Sequence, residues 1–459
     1  MLRRIFARLI TERIAKYHNT LIIMKILKFG GTSVGTASRM KDVAKLVLDG
    51  QPKIVVLSAM SGTTNSLVEI SNYLYKKNND GANEVINKLE AKYMAHINEL
   101  YSTPEYKEKG TLLIREHFNY IKSFANNIFT VFEEKIILSQ GELISTGMFN
   151  LYLLELGVNS CLLPALEYMR IDKNNEPDTA YIRENIRAQL DKNKGYDLYV
   201  TQGYICRNAF GEVDNLQRGG SDYTASLLGA ALLADEIQIW TDIDGMHNND
   251  PRYVDNTAPV SQLSFDEAAE LAYFGAKILH PTCVLPAKIN NIPVRLLNTM
   301  DPTAKGTLIS SSQCQHRIAA IAAKDNITAI KIKSGRMLLA YGFLRKVFEI
   351  FESYKTPIDM ITTSEVGVSV TIDNARHLDD IIDDLKKYGT VEVDRDQVII
   401  CIVGDLVASS KGYAAKIFSS LADVPIRMIS YGGSSHNISI LVDSSQKINA
   451  LRALSAKLF

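Results

Sequence analysis

Cysteine is scarce and unpatterned in this sequence. Its five cysteines, Cys161, Cys206, Cys283, Cys314 and Cys401, are scattered, odd in number and never spaced as CxxC. That excludes a zinc knuckle and a disulfide framework, and a reducing cytoplasm is the expected setting. Net charge is missing as well, because 51 Lys+Arg balance 51 Asp+Glu. No global basic field points to nucleic acid, and there is no acidic tail. No apolar run approaches the roughly 20 residues that a membrane-crossing helix needs. What remains is ordinary globular composition, 46% apolar over 459 residues, enough for two or three domains and a large core.

Residues 1–23 alternate Arg3, Arg4, Arg8, Arg13 and Lys16 with Ile5, Phe6, Leu9 and Ile10. Two readings fit, a basic amphipathic targeting segment or a start assigned ahead of Met24. The second is expected, since Met24-Lys25-Ile26-Leu27 is a natural beginning for a first strand.

The chain is organised around KILKFGGTSVG, Lys25 to Gly35. An apolar strand runs into Gly30 and Gly31, whose backbone N–H groups can approach an anion closely. Lys28, two residues upstream, can reach the same anion. The string is neither GxxxxGK[ST] nor GxGxxG. A second buried strand, Ile54-Val55-Val56-Leu57, leads into SAMSGTTNSL, Ser58 to Leu67. Small hydroxylated residues at the carboxyl end of a parallel strand stand where open α/β sheets bind ligands. Residues 66–156 read as helical, with apolar residues at three- and four-residue spacing over 84–100 and 112–132. Within them SQGELISTGMF places Glu142 after a glycine, at the head of an amphipathic segment.

Leu198 to Ile205 reads as a buried strand entering a glycine turn. The densest chemistry follows in LQRGGSDYTASLLGAALLA, Leu216 to Ala234. Arg218 can grip a carboxylate through two parallel hydrogen bonds. Ser221 can cap the helix, and Asp222 would face an ammonium or a metal-bound phosphate. Another strand then ends in WTDIDGMHNNDPR, Trp240 to Arg252, whose acids lack the twelfth-position glutamate of a calcium loop. FGAKILHP, Phe274 to Pro281, follows, and SSSQCQ, 310–315, reads as a linker.

The last third repeats itself. KVFEIFESYKTPIDMI, Lys346 to Ile361, parallels KIFSSLADVPIRMI, Lys416 to Ile429. The first copy reads strand 328–334, helix 343–355, strands 358–363 and 367–373, helix 375–388 and strand 390–396, a βαββαβ ferredoxin-like unit. The second copy lacks one strand, expected from 317–323 upstream, so the first module is expected to be inserted into the second.

Taken in order, KFGGTSVG, SAMSGTTN, GELIST, RGGSDYTA and WTD…DPR resemble the motifs of aspartate kinases in the amino-acid kinase family, and the repeats resemble their paired ACT modules. The resemblance spans Lys25 to about Leu451. It implies an α/β fold, with an open, mainly parallel sheet sandwiched by helices over 25–312. Two α+β ferredoxin-like ACT domains would follow, one at 325–396 and one built from 316–324 and 397–459. It implies transfer of the ATP γ-phosphoryl to the β-carboxylate of L-aspartate, with Mg²⁺, at the first step of lysine, threonine and methionine biosynthesis. Lys28, Arg218 and Asp222 would be catalytic. Ser58, Thr64, Glu142, Arg218 and Ser221 would hold aspartate. ATP would meet Lys28, Gly30, Gly31, Ser33, Thr241, Asp242, His247, Arg252 and Lys277, with His247 where many relatives carry a tyrosine. No dedicated protein metal site is expected.

Met337, Ala340, Gly342, Phe343, Leu344 and Asp359 match the effector site of lysine-inhibited relatives, with Asp359 as partner of the lysine ε-ammonium. Ala340 stands where a serine is usual. A homodimer or a dimer of dimers through the ACT modules is expected, without nucleic-acid or membrane partners. Two rivals are weaker. RGGSDYTA and the ACT pair argue against another amino-acid kinase, and intact Lys28, Arg218, Asp222 and Asp242 argue against a sensor with an inactive kinase half.

Overall fold

The computed structural model describes residues 24–196, 198–217, 219–275, 281–312, 318–335, 341–405 and 411–459. The extension 1–23 and the expected site residues Arg218, Lys277, Met337 and Ala340 lie outside the described residues. The chain divides into two compact units. One runs to Asp242 and adds Ile289–Arg295; the other comprises Ile243–Lys288 and Leu296–Phe459.

In the first unit the apolar runs form strands β1 (Lys25–Phe29), β2 (Lys53–Leu57), β3 (Ser160–Leu163) and β4 (Leu198–Gln202). A small hairpin, β5 (Ile205–Arg207) and β6 (Val213–Asn215), precedes β7 (Glu236–Thr241). The main sheet is parallel in the order β3-β4-β2-β1-β7. Helices cover it, so β2 is buried at every position, as a continuous rather than alternating apolar pattern demands. Register brings Phe29, Leu57, Gln202 and Trp240 level at the carboxyl ends. The loops after these strands therefore open on one edge.

The long helical stretch resolves into Thr63–Tyr75, Asn79–Leu100, Pro104–Ser123 and Val131–Glu155. The last begins at a capping box, with Thr130 and Glu133 satisfying each other's orphan donors. Glu142 is therefore not at a helix head, as its preceding glycine suggested. It sits in the middle of a 25-residue helix that is buried nearly all round from Ile137 to Phe149. Gly141 permits this, because a Cβ there would meet the Ala59 Cβ at 2.7 Å.

In the second unit β8 (Gln262–Ser264) leads into a helix, Phe265–Tyr273, through a Ser264/Glu267 capping box. β9 (Val294–Asn298) lies across the division, and β10 (Thr307–Ser310) pairs in parallel with β8. Then come β11 (Ile318–Lys333), β12 (Ile361–Thr363), β13 (Gly367–Ile372), β14 (Thr390–Gly404), β15 (Met428–Tyr431) and β16 (Asn437–Asp443). They form one antiparallel sheet in the order β12-β13-β11-β14-β16-β15.

The expected strands 317–323 and 328–334 are thus halves of a single strand, β11. Its upstream half pairs with the end of β14, Ile318 opposite Gly404, and its downstream half with the start, Lys333 opposite Thr390. Register slips at Lys324 and Ile327 accommodate the join. Each half has its own core. Ile330, Phe343, Phe351 and Val370 pack in one, and Ile400, Ile417, Ile440 and Leu454 in the other. Truncating a ring such as Phe351 to alanine costs about 3–5 kcal/mol, whereas the solvent-screened Lys333–Glu392 bridge contributes little. Packing, not surface charge, holds this sheet.

Candidate active site

At the carboxyl edge of the first unit lies a cavity of about 930 Å³. Lys28, Ser58, Thr64, Glu142, Ser221 and Asp222 line it together. They come from four separate stretches of chain, and the level strand ends and the helix Val131–Glu155 bring them to one place.

Lys28 projects from β1, its Nζ 2.6 Å from Asp222 Oδ1. The contact is ionic without hydrogen-bond alignment, and both side chains are nearly buried. Asp222 stands in the first turn of the helix Gly220–Leu232, where the helix dipole favours a carboxylate. Ser221 does not cap that helix. Gly219 does, at φ 74, and Ser221 lies inside the first turn.

The two glycines after β1 differ from each other. The Gly30 N–H already donates to the Trp240 carbonyl at 3.2 Å, so it does not serve a phosphate. Gly31 lines the cavity and has a steric duty, since a Cβ there would fall 2.8 Å from the Ala59 carbonyl oxygen. Ser33 is fully buried and is not part of the cavity lining.

Glu142 is buried against the loop after β2. Its Oε1 accepts from the Ala59 N–H at 3.1 Å, while Oε2 is buried without a hydrogen-bond partner. Burial pushes its carboxyl up to about 8, and the Ala59 N–H pulls only weakly the other way. A buried acceptor without a donor is costly, and a cationic group in the cavity would relieve it. Ser58 is fixed on both sides. Its N–H donates to the Phe29 carbonyl at 3.2 Å, and its own carbonyl accepts from Ser145 Oγ at 2.8 Å. Thr64 sits in the first turn of Thr63–Tyr75, behind Gly62 at φ 82.

Of the remaining ATP residues, Thr241 ends β7 and its hydroxyl donates to Oδ1 of the following Asp242 at 3.2 Å. His247, in the second unit, holds Thr257 Oγ1 through Nδ1 at 2.9 Å and Asp244 Oδ1 through Nε2 at 2.7 Å. Its ring is pinned at both nitrogens, which limits it as a stand-in for a mobile tyrosine. Arg252 forms a two-pronged pair with Asp250, Nε to Oδ1 at 2.9 Å and Nη2 to Oδ2 at 2.6 Å.

In the expected effector region Gly342 caps Phe343–Ser353 at φ 85, Phe343 is in the core, and Leu344 is partly exposed. Asp359 is not open to a ligand ammonium. Its side chain is 1% exposed, and Oδ1 already receives Lys324 Nζ at 2.7 Å and the Tyr273 hydroxyl at 3.0 Å. Lys324 also reaches Asp373 at 2.9 Å. Burial pushes the Asp359 carboxyl up, and Lys324 only partly offsets it. Asp359 Oδ2 is buried without a hydrogen-bond partner.

Residues 24–298 match the model of the Amino acid kinase family, and residues 400–458 match that of the ACT domain. The chain is 33% identical to Lysine-sensitive aspartokinase 3 of Escherichia coli, over 95% of this chain and 99% of that one. This chain belongs to the aspartokinases, within the amino acid kinase family. It is also 35% identical to the chloroplastic Aspartokinase 3 of Arabidopsis thaliana, over 95% of this chain and 81% of the relative. The structure superimposes on E. coli aspartokinase III in complex with aspartate and ADP with a TM-score of 0.83, at 33% identity over 95% of this chain and all of that one. The TM-score is 0.79 with the lysine and aspartate complex, called the T-state, over 95% and 99% of the two chains.

Within this aspartokinase, motif reading missed Tyr204, which follows Gly203 at the end of β4 and lines the cavity. The glycine turn after a buried strand was its visible signal. It also missed Lys324, the lone cation at the end of the apolar run IAAIAAK.

Proposed function

We propose that this chain phosphorylates the β-carboxylate of L-aspartate from ATP, giving ADP and 4-phospho-L-aspartate, and thereby starts lysine, threonine and methionine biosynthesis. The observation that carries the reading is a single cavity lined by both the Lys28–Asp222 pair and Glu142, whose Oε2 has no donor. The acceptor is a carboxylate, already nucleophilic at neutral pH, so no general base is required. Catalysis is then positioning and charge neutralisation. Lys28 stabilises the moving phosphoryl group, and Asp222 fixes the position of its ammonium. Glu142 Oε2 receives the substrate ammonium, Arg218 its α-carboxylate, and Ser58, Thr64 and Ser221 complete the pocket. Thr241, Asp242, His247, Arg252 and Lys277 serve the nucleotide.

No group of three or more metal-ligating side chains occurs among the described residues. That suits Mg²⁺ held mainly by phosphate oxygens and water, since this ion needs only one or two protein carboxylates, here Asp222. When bound, Mg²⁺ neutralises charge on the phosphates.

The kinase region is assigned to 25–312, and the ACT modules to 325–396 and to 316–324 with 397–459. They join subunits into a homodimer or a dimer of dimers and take lysine as inhibitor near Gly342, Phe343, Leu344 and Asp359. The ε-ammonium joins Asp359 at Oδ2, the oxygen that Lys324 leaves unpaired, which requires local opening. The setting is cytoplasmic, and among the described residues no helix is long and apolar enough to cross a membrane. ADP release measured with aspartate, glutamate and N-acetylglutamate tests the reading. Aspartate should support turnover far better than either of the others, lysine should suppress it, and turnover only with another acceptor would refute the assignment.

A further inference from the structure

Among the described residues nine non-glycine positions have positive φ, and two of them, Tyr204 and Gln217, line the cavity. Tyr204 is the more demanding case. A bulky residue at φ 69 is a backbone outlier, and such strain persists only where the surroundings fix it. The surroundings do so here. The Ile205 N–H bonds back to the Gly203 carbonyl at 2.7 Å, closing a γ-turn with Tyr204 at its centre. The Tyr204 N–H donates to Thr224 Oγ1 at 3.0 Å, and its carbonyl accepts from the Leu216 N–H at 2.7 Å.

Two glycines clear the space around it. A Cβ on Gly220 would meet Tyr204 Cδ2 at 2.7 Å, and one on Gly203 would meet Ser221 Cβ at 2.5 Å. The ring thus lies against the first turn of Gly220–Leu232, two residues from Asp222. Glu142 lines the same cavity, and burial first, then that carboxylate, push the Tyr204 phenol up. Tyr204 therefore shares one cavity wall with Glu142, the proposed ammonium seat, and with Asp222 at the phosphoryl end.

A cavity of about 930 Å³ is far larger than any amino acid, so its volume alone cannot reject a longer acceptor. A rigid local wall can. We infer that the Tyr204 ring is a specificity-determining wall of the acceptor pocket, setting the span between ammonium and reacting carboxylate to that of a four-carbon dicarboxylate. This rests on the aspartate kinase reading above.

The test compares kcat/KM for aspartate and glutamate in wild type, Tyr204→Gly and Tyr204→Phe, with the KM for ATP as control. Glycine suits the γ-turn backbone but removes the ring. It should lower the preference for aspartate over glutamate by ~10-fold or more, since one methylene in a fitted pocket is worth ~10–200-fold. The KM for ATP should stay within about 2-fold. Phenylalanine keeps the ring and should keep the preference within about 2-fold. If the glycine protein does not fold, Tyr204→Leu, which shortens the wall but retains apolar bulk, replaces it and should show the same loss. Wild-type preference in the glycine or leucine protein would overturn the inference, as would an equal loss in Tyr204→Phe. A wild-type protein inactive on aspartate would instead overturn the kinase reading beneath it.

Discussion

Two lysine–aspartate pairs in this molecule have nearly equal lengths, 2.6 Å for Lys28–Asp222 and 2.7 Å for Lys324–Asp359. Their settings differ. The first faces a cavity that Glu142 also lines, so its cation can act on an incoming anion. The second is closed. Asp359 is buried, Tyr273 bonds the same oxygen, and Asp373 shares the lysine. Identical chemistry is presented in one place and withheld in the other, and what surrounds the pair decides which.

The widest separation should come from Lys28→Ala. Removing one preorganised charge at a reacting phosphoryl group costs ~10²–10³ in kcat. Steady-state turnover should fall by that factor while ATP binding, read by calorimetry, survives. Turnover within a few-fold of wild type would end the distinction between the two pairs.

Next is Glu142→Gln. The aspartate KM should rise ~10-fold or more, because a neutral amide cannot pair with the substrate ammonium. The pH behaviour has a defined sign. With the folded carboxyl at about 8 and the unfolded one near 4.5, the folded state binds the extra proton between those values. Stability of the substrate-free protein should therefore fall as pH rises from about 4.5 through about 8, and this slope should flatten in Glu142→Gln. Thermal melts at pH 5 and pH 8.5 check it, and an unchanged slope would show that Glu142 is ionised throughout.

The closed pair gives smaller effects on turnover. Asp359→Ala should abolish lysine inhibition and leave uninhibited turnover within about 2-fold, read as initial rate against lysine concentration. Lys324→Met should do the reverse. Leaving Asp359 buried without its ionic partner, with only the Tyr273 hydroxyl on Oδ1, should destabilise the protein by about 1–3 kcal/mol and lower the lysine concentration that gives half-inhibition. Undiminished inhibition in Asp359→Ala, or weaker inhibition in Lys324→Met, would separate effector binding from this pair.

Legibility followed locality. The phosphate-side strand, the buried strands and the repeat were readable because apolar runs and glycine turns are local signals. Lys28, Ser58, Thr64, Glu142, Ser221 and Asp222 were named from motifs and do meet in one cavity. The failures are tertiary. Gly30 looked like a donor, but strand pairing brings the Trp240 carbonyl to its N–H. Glu142 looked like a helix start because Gly141 precedes it, yet that glycine serves packing against Ala59. Asp359 looked vacant because its partners, Tyr273 and Lys324, lie 86 and 35 residues away.

The continuity of β11 also constrains the order in which this protein is made. Ile318 pairs with Gly404 and Lys324 with Ile399, so the upstream half of the strand leaves the ribosome 75 to 86 residues before its β14 partner. At 5–20 residues per second that is a wait of about 4–17 s. Throughout it, an apolar edge, Ile318 to Ala323, has no β14 neighbour and is open to other nascent chains. Slow translation across 324–404 should therefore harm yield more than equal slowing after Gly404, where the strand is already covered.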